Sequence, residues 1–175
     1  MNSNSERNNT GESSEYQENL DFLRQIDFFS GLPLEAIKVF AYLCNREPFK
    51  SGDDIFLQGD EDNRSFFIIS GDARLSQHTG DTDITIRDYR AGEFIGRMTL
   101  LGQIRRLFTL TATTEMVCLV LTREKFSKAL EKFPDLTPKF IEVVVRNVYR
   151  WEKLFLKMRS GDCEECLKVA GVSLL

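Results

Sequence analysis

The sequence predicts an α+β fold in which an antiparallel barrel or roll of strands lies between helices at the two ends of the chain. Two observations support this prediction. Between residues 49 and 121, short apolar or alternating runs are separated by turn residues at close, regular spacing, which is typical of antiparallel strands. Before and after that block, apolar residues recur at helical spacing, so helices and strands are segregated along the chain.

The N-terminal residues 1–19 predict a disordered acidic and polar tail, because they hold almost no apolar side chain to offset the entropy of ordering. Order is expected to begin at Asn19, as the N-cap of a first helix. A second helix follows Pro33, and Pro48 helps to end it. The apolar positions of this second helix are Leu34, Ile37, Val39, Phe40 and Leu43.

Six strands are expected in the central block, over residues 54–58, 65–70, 73–77, 83–89, 109–113 and 116–121. The segments between them are rich in Gly and Asp, the residues that tolerate turn conformations.

Helical spacing returns after the last strand, where Thr122 caps a helix over residues 123–133. A longer helix follows Pro138, with one apolar stripe and a face rich in lysine and arginine. That basic face is either a solvated surface or a docking surface for a partner or for the acidic N-terminal tail. The stripe consists of Ile141, Val144, Val145, Val148, Trp151, Phe155 and Met158. Residues 20–158 are thus expected to form one domain, with 159–175 as a C-terminal tail.

Three segments of this pattern resemble segments of a known protein family. The opening hairpin of cyclic nucleotide-binding domains resembles Phe49–Asp60, and their next strand resembles Ser65–Gly71. Their phosphate-binding cassette resembles Phe94–Ala112, and the three segments have the same order and spacing as in that family. Such domains occur in cAMP-dependent kinase regulatory subunits, nucleotide-gated channels and bacterial catabolite activators. The similarity covers roughly residues 26–158 and implies a jelly-roll-like antiparallel β-roll, with N-terminal and C-terminal helices packed at its ends.

The resemblance also implies a site for a phosphate. Residues 94–101 align with the family's Phe-Gly-Glu-Leu-Ala-Leu-Leu, so Ile95 and Gly96 precede a short helix. In the family, the backbone N–H groups at the start of this helix face the ligand's cyclic phosphate. Here Met98, Thr99 and nearby residues would supply them.

The side chains expected around the phosphate match the family only in part. Arg106 takes the position of the arginine that pairs with phosphate, and Thr109 that of a hydroxyl residue contacting phosphate or base. Arg97 replaces the glutamate that accepts the ribose hydroxyl, although a guanidinium has no acceptor. Arg105 replaces a proline. Phe108 replaces a small residue, and it either plugs the site, stacks on a base or packs in the core.

These residues predict a regulatory or sensor module whose binding of cAMP or cGMP is weak, altered or absent. It would signal through its C-terminal helices to a protein effector. The alternative is a ligand-free interaction domain, or scaffold, on the same fold. A third hypothesis is that the basic cassette binds another small anion or a phosphorylated metabolite. No cofactor is expected beyond these possible ligands.

Composition excludes several other classes. The net charge of −4 argues against DNA binding, and no apolar run approaches the ~20 residues of a membrane span. A soluble, cytoplasmic protein is therefore expected. The lone His78 lies in a turn, and no Walker loop or nucleophile elbow is present, so no enzyme activity is expected. The Cys163/Cys166 pair alone is weak evidence for zinc, which prefers four ligands.

Overall fold

Eight antiparallel strands form the centre of the molecule in a computed structural model that describes the backbone of residues 5–80 and 82–159. The strands are β1 Asn45–Phe49, β2 Asp54–Phe56, β3 Arg64–Ser70, β4 Ala73–Thr79, β5 Thr82–Tyr89, β6 Phe94–Ile95, β7 Thr109–Ala112 and β8 Met116–Thr122. One sheet has the order β1-β8-β3-β6 and the other β2-β7-β4-β5. Apart from the β4–β5 hairpin, neighbouring strands in each sheet are not consecutive in the chain, as in the predicted β-roll. The strands β1 and β6 are additions to the six that were expected.

Five α-helices flank the roll: α1 Ser5–Gln25, α2 Leu34–Leu43, α3 Arg97–Leu101, α4 Arg123–Lys132 and α5 Thr137–Arg159. A 3₁₀ turn over Asp27–Phe29 joins α1 to the α2 segment, and another over Pro134–Leu136 joins α4 to α5. The predicted cap at Thr122 is confirmed, because its hydroxyl accepts a hydrogen bond from the Lys125 amide at 3.3 Å. Pro48 does not end α2; it lies in β1, an edge strand, where a missing N–H is tolerated.

The first helix begins at Ser5, so the predicted N-cap at Asn19 is wrong; the disordered tail expected over residues 1–19 stays a prediction. Asn19 lies inside α1, where its side chain accepts a hydrogen bond from Arg46 at 2.9 Å. Arg46 also contacts the Glu18 carboxylate at 2.9 Å, and the Tyr16 hydroxyl donates to the Lys38 carbonyl at 3.4 Å. Polar contacts with the folded domain thus hold residues 16–19.

Two apolar cores meet on opposite faces of the sheet that contains β3 and β8. Alternate residues of β3 explain the division: Phe66 and Ile68 point into the roll, whereas Phe67 packs against the helices. On the helical side, Phe126 and Phe140 join α4 to α5, with ring centroids 4.9 Å apart in an edge-to-face arrangement. The remaining rings of this aromatic cluster are Phe28, Phe29 and Phe40.

The long helix α5 turns much of its apolar stripe outward. Of the α5 side chains that the structure describes, Phe140 and the polar Asn147 are buried, while Ile141, Val145 and Val148 are exposed. The side chains of Phe155 and Met158, the residues from 160 on, and hence the Cys163/Cys166 pair lie outside the described part of the structure. Among the described residues, no helix is both long enough and apolar enough to cross a membrane.

Candidate functional site

Gly96 lies at the N-cap of α3, directly after β6, with φ +82 in the left-handed region. A Cβ at this position would lie 3.0 Å from Nη1 of Arg106 and 3.0 Å from the carbonyl oxygen of Arg64. Glycine is therefore required here for two reasons, the backbone conformation and the close approach of a guanidinium. The sequence prediction that Gly96 and Arg106 lie together agrees with this arrangement.

Arg106 points into the protein, with only 2% of the residue exposed. Its Nη2 donates to Oδ2 of Asp62 at 3.0 Å and to the carbonyl oxygen of Arg64 at 2.5 Å. The guanidinium carbon lies 3.9 Å from the ring centroid of Phe56, within the range of a cation–π contact. An internal carboxylate, a carbonyl and an aromatic face thus already surround this charge.

Burial lowers the pKa of Arg106, and the carboxylate of Asp62 opposes that effect. Within the described residues, the buried Nε of Arg106 has no hydrogen-bond partner. A buried donor of a charged group normally has a partner, so this guanidinium retains capacity for one more acceptor.

Thr99 has a different role from the one expected. Its hydroxyl lies 2.6 Å from the Gly96 carbonyl oxygen and 2.9 Å from the Arg64 carbonyl oxygen, and its amide donates to the Gly96 carbonyl at 3.1 Å. Thr99 therefore connects α3 to β3, and its own amide is not free to bind a ligand. Met98 is half-buried, and its amide has no intrahelical acceptor because it lies in the first turn of α3.

Arg97 points to a separate cleft of about 250 Å³. The cleft lies between the 3₁₀ turn that contains Asp27 and the segment from β5 to α3, where Arg87, Tyr89 and Glu93 also line it. Arg87 is paired with Glu93 and lies over the Tyr89 ring, 4.5 Å from its centroid.

The charge of Arg97 is poorly compensated. Its Nε is buried and has no hydrogen-bond partner among the described residues. Burial lowers the pKa of Arg97, while the charge of Asp27 acts in the opposite direction. Burial also raises the pKa of the neighbouring Tyr89 to about 12, so its phenol stays protonated and can donate a hydrogen bond. The cleft thus presents donors to an incoming acceptor.

Two other predicted residues lie away from the Gly96–Arg106 contact. Arg105 is exposed, and its Nε donates to the Glu61 carboxylate at 3.1 Å. The hydroxyl of Thr109 accepts from the Gln58 amide at 3.0 Å and so holds the turn that follows β2.

The last two predicted residues pack inside the roll. Ile95 is 1% exposed and Phe108 is 8% exposed, and both belong to the apolar cluster of the roll interior. Phe108 therefore fills interior space as a core aromatic, which was one of the alternatives left open by the sequence.

Sequence reasoning missed Asp62, Arg64 and Phe56, which surround the guanidinium of Arg106. Asp62 is 44 residues away from its partner in sequence, so no local spacing could have identified the pair. The acidic run Asp60–Asp62 before β3 was the one available signal. No group of three His, Cys, Asp or Glu residues in the described part of the chain could hold a metal ion.

Comparison with known proteins agrees with the fold. The family described as "Cyclic nucleotide-binding domain" matches residues 46–133, about half of the chain. Human cGMP-dependent protein kinase 2 is 26% identical over 133 residues, which cover 74% of this chain and 17% of the kinase. The cyclic AMP receptor protein of Thermus thermophilus is 26% identical over 121 residues, covering 69% of this chain and 56% of that protein.

Solved structures show the same fold. The catabolite activator protein of Thermus thermophilus superposes with a TM-score of 0.63 and 27% identity, over 76% of this chain and 62% of that one. The N-terminal domain of a transcriptional regulator from Streptomyces coelicolor gives a TM-score of 0.70 at 23% identity, over 76% and 93% of the two chains. The chain spans only 17% of the kinase and 56% of the receptor protein, so it corresponds to one part of these longer proteins.

Proposed function

Because the chain belongs to the cyclic nucleotide-binding domain family, we propose that it is a regulatory module that holds an anionic group between Arg106 and the first turn of α3. Ordinary cAMP and cGMP would bind weakly or not at all. The observation that carries the proposal is the buried guanidinium of Arg106 lying against Gly96, directly beneath the start of α3.

The unpartnered Nε of Arg106 supports an anionic guest. A phosphate offers several acceptors to a guanidinium, whereas the internal partners leave one donor unused. Asp62 already binds Nη2, so a phosphate must either share the guanidinium with this carboxylate or displace it. Such competition lowers the affinity for any anion.

Arg97 supports the weak binding of ordinary cyclic nucleotides. Where the family has a carboxylate for the ribose hydroxyl, this chain has a donor that points to the cleft beside Asp27. Loss of a hydrogen bond to a charged group costs ~1.5–3 kcal/mol, which corresponds to about 10- to 150-fold in affinity. The cleft favours instead a guest that supplies acceptors to Arg97.

The route to an effector would run from α3 through the C-terminal helices. α3 contacts α4, and Arg97 lies close enough to Arg150 of α5 for their charges to interact. A guest that neutralises Arg97 removes repulsion between these arginines and favours an arrangement with α5 closer to the site. The module would be non-enzymatic and would act in the cytoplasm through a protein effector rather than through DNA.

The second candidate is a scaffold that has lost its ligand. Asp62 on Arg106 favours it, because this carboxylate already takes a guanidinium donor that an anionic guest would need. This candidate differs in one measurable respect, since a protein without a ligand gains no stability from any small anion.

A thermal-shift panel tests both candidates. The melting temperature is measured at increasing concentrations of cAMP, cGMP and inorganic phosphate. The proteins compared are wild type, Arg97→Glu, Arg106→Gln and the exposed control Arg105→Gln. A bound ligand raises Tm with concentration. We expect small shifts for wild type and the control, a larger cAMP shift for Arg97→Glu, and none for Arg106→Gln.

Two results contradict the proposal. Submicromolar cAMP affinity by calorimetry in wild type, with no improvement in Arg97→Glu, refutes an impaired sugar site. Indifference of every variant to all three compounds refutes ligand binding and supports the scaffold.

A further inference from the structure

The cleft of about 250 Å³ beside Arg97 is distinct from the contact between Gly96 and Arg106. It lies between residues 25–28, where α1 passes into the 3₁₀ turn, and the segment that runs from β5 to the start of α3. None of the described groups that contact Arg106 lines this cleft. At ~30 Å³ for each water, the cleft has room for about eight waters, so a guest that fits it must be a small molecule.

Arg97 brings to the cleft a positive charge with an unused hydrogen-bond donor. Its Nε is buried and donates to no residue that the structure describes. Burial lowers the pKa of Arg97, and the charge of Asp27 opposes this effect without a hydrogen bond between the two groups. Arg150 of α5 adds repulsion. Because a buried donor of a charged group normally has an acceptor, an acceptor that enters the cleft is expected to stabilise the protein.

The carboxylates that line the cleft do not supply this acceptor. Glu93 accepts from Arg87 with Oε1 and from the Arg90 amide with Oε2, the latter at 2.7 Å. Both of its oxygens are therefore engaged, and a turn toward Arg97 would break these contacts. Asp27 is exposed to water. The Nε–H group of Arg97 is thus available to a guest.

We propose that the cleft binds a small organic carboxylate, whose two oxygens accept hydrogen bonds from the guanidinium of Arg97. A planar carboxylate matches the edge of a guanidinium, which presents two parallel N–H groups. The Tyr89 phenol, whose pKa is raised to about 12 by burial, stays protonated and provides a further donor in the same cleft.

A carboxylate suits this cleft better than a phosphate group does. Asp27 and Glu93 already bring negative charge to the lining, and a phosphate monoester carries about −1.5 to −2 charges at neutral pH, so it is repelled more strongly than a carboxylate. No atom of Arg106 takes part in the binding. The carboxylate site therefore goes beyond the proposed function and does not depend on it.

Titration with benzoate and with benzamide tests the proposal, because the two molecules have similar shapes and only benzoate is charged. NMR spectra of isotope-labelled protein record the Nε–H signal of Arg97, which is assigned by its absence in Arg97→Lys. The pH and the ionic strength are held constant during each titration. We expect benzoate to shift this signal in a saturable manner and benzamide to leave it in place.

Three variants locate the bound benzoate. In Arg97→Gln, benzoate no longer shifts the amide signals of Asp27 and Phe28, which also line the cleft. In Arg106→Gln and in the exposed control Arg105→Gln, the shift of the Arg97 Nε–H signal remains, because neither residue lines the cleft. Excess inorganic phosphate does not reverse the shift in wild type. Arg97→Gln is expected to fold with an unchanged or higher Tm, because it removes a half-buried charge.

Four outcomes overturn the proposal. An equal shift with benzamide shows that the negative charge is not recognised. Shifts of the Asp27 and Phe28 amides that persist in Arg97→Gln show that another group binds benzoate. Loss of the shift in Arg106→Gln, or its reversal by phosphate, assigns benzoate to the Arg106 contact. A signal that stays fixed in wild type shows that the cleft binds no carboxylate. The proposed function is judged by phosphate and cyclic nucleotides at Arg106, so the two proposals can fail separately.

Discussion

The pair formed by Asp62 and Arg106 gives the sharpest prediction about stability. The Asp62 carboxylate accepts from Nη2 of Arg106 at 3.0 Å and from the amide and Nε of Arg64 at 3.0 and 3.1 Å. The side chains of Asp62 and Arg106 are 8% and 1% exposed. Asp62→Ala would leave the guanidinium buried with the Arg64 carbonyl as its remaining hydrogen-bond partner. Breaking a buried ion pair from one side costs ~3–5 kcal/mol, a large share of the ~5–15 kcal/mol that stabilises a typical domain.

Urea unfolding followed by circular dichroism measures this loss. With a typical slope of ~1–3 kcal/mol/M, the midpoint of Asp62→Ala is expected to fall by at least about 1 M. Arg106→Met added to Asp62→Ala recovers much of the loss, because no buried charge then lacks its partner. Glu61→Ala, at the neighbouring exposed pair with Arg105, leaves the midpoint unchanged. A midpoint for Asp62→Ala equal to that of wild type would refute the reasoning.

Three further predictions concern the interior and the turn at the site. Gly96→Ala destabilises the fold by ~1–3 kcal/mol through backbone strain and through contact with Arg106. Gly92→Ala, at φ +90 and with open space around the new methyl group, loses stability through backbone strain only. Equal urea midpoints of the two variants would contradict the close contact at Gly96. Phe108→Ala costs ~3–5 kcal/mol because it leaves a cavity in the roll, and a loss below ~1 kcal/mol in the same assay would show that the ring does not fill the interior. Cys44 and Cys118 stay unmodified by a thiol reagent at pH 8 until urea unfolds the protein, as peptide mass spectrometry can verify. Since the unfolded thiols ionise near pH 9 and the folded ones near 12, stability falls as pH rises between these values. The fall is expected to be steeper in wild type than in Cys44→Ala/Cys118→Ala, where the raised pKa of Tyr89 still contributes; equal slopes would contradict the burial of the thiols.

The strands and most helices could be predicted because their signals are local. Alternation of apolar residues between glycine turns located six strands, and Thr122 was visible as a cap from its own position. The short strands β1 and β6 were missed because two to five residues carry too little pattern. The place of Asn19 inside α1 was missed because its partner Arg46 lies 27 residues away in sequence.

The site was predictable only where the family's pattern is local. The resemblance placed Gly96 and Arg106 at one site, and the two residues lie in close contact. The charge of Arg97 interacts with that of Asp27, and the partner of Arg106 is Asp62 from a distant turn. Charged residues that the fold brings together from distant segments form no periodic pattern in the sequence, so neither interaction could be predicted from residue spacing.

Amide NMR during titration with cAMP and with inorganic phosphate tests the central claim most directly. If an anion is held between Arg106 and α3, the amide signals of Arg97 and Met98 shift in a saturable manner in wild type and remain unmoved in Arg106→Gln. Signals of these two amides that stay fixed in wild type at saturating phosphate and cAMP, or that shift equally in Arg106→Gln, would contradict the account.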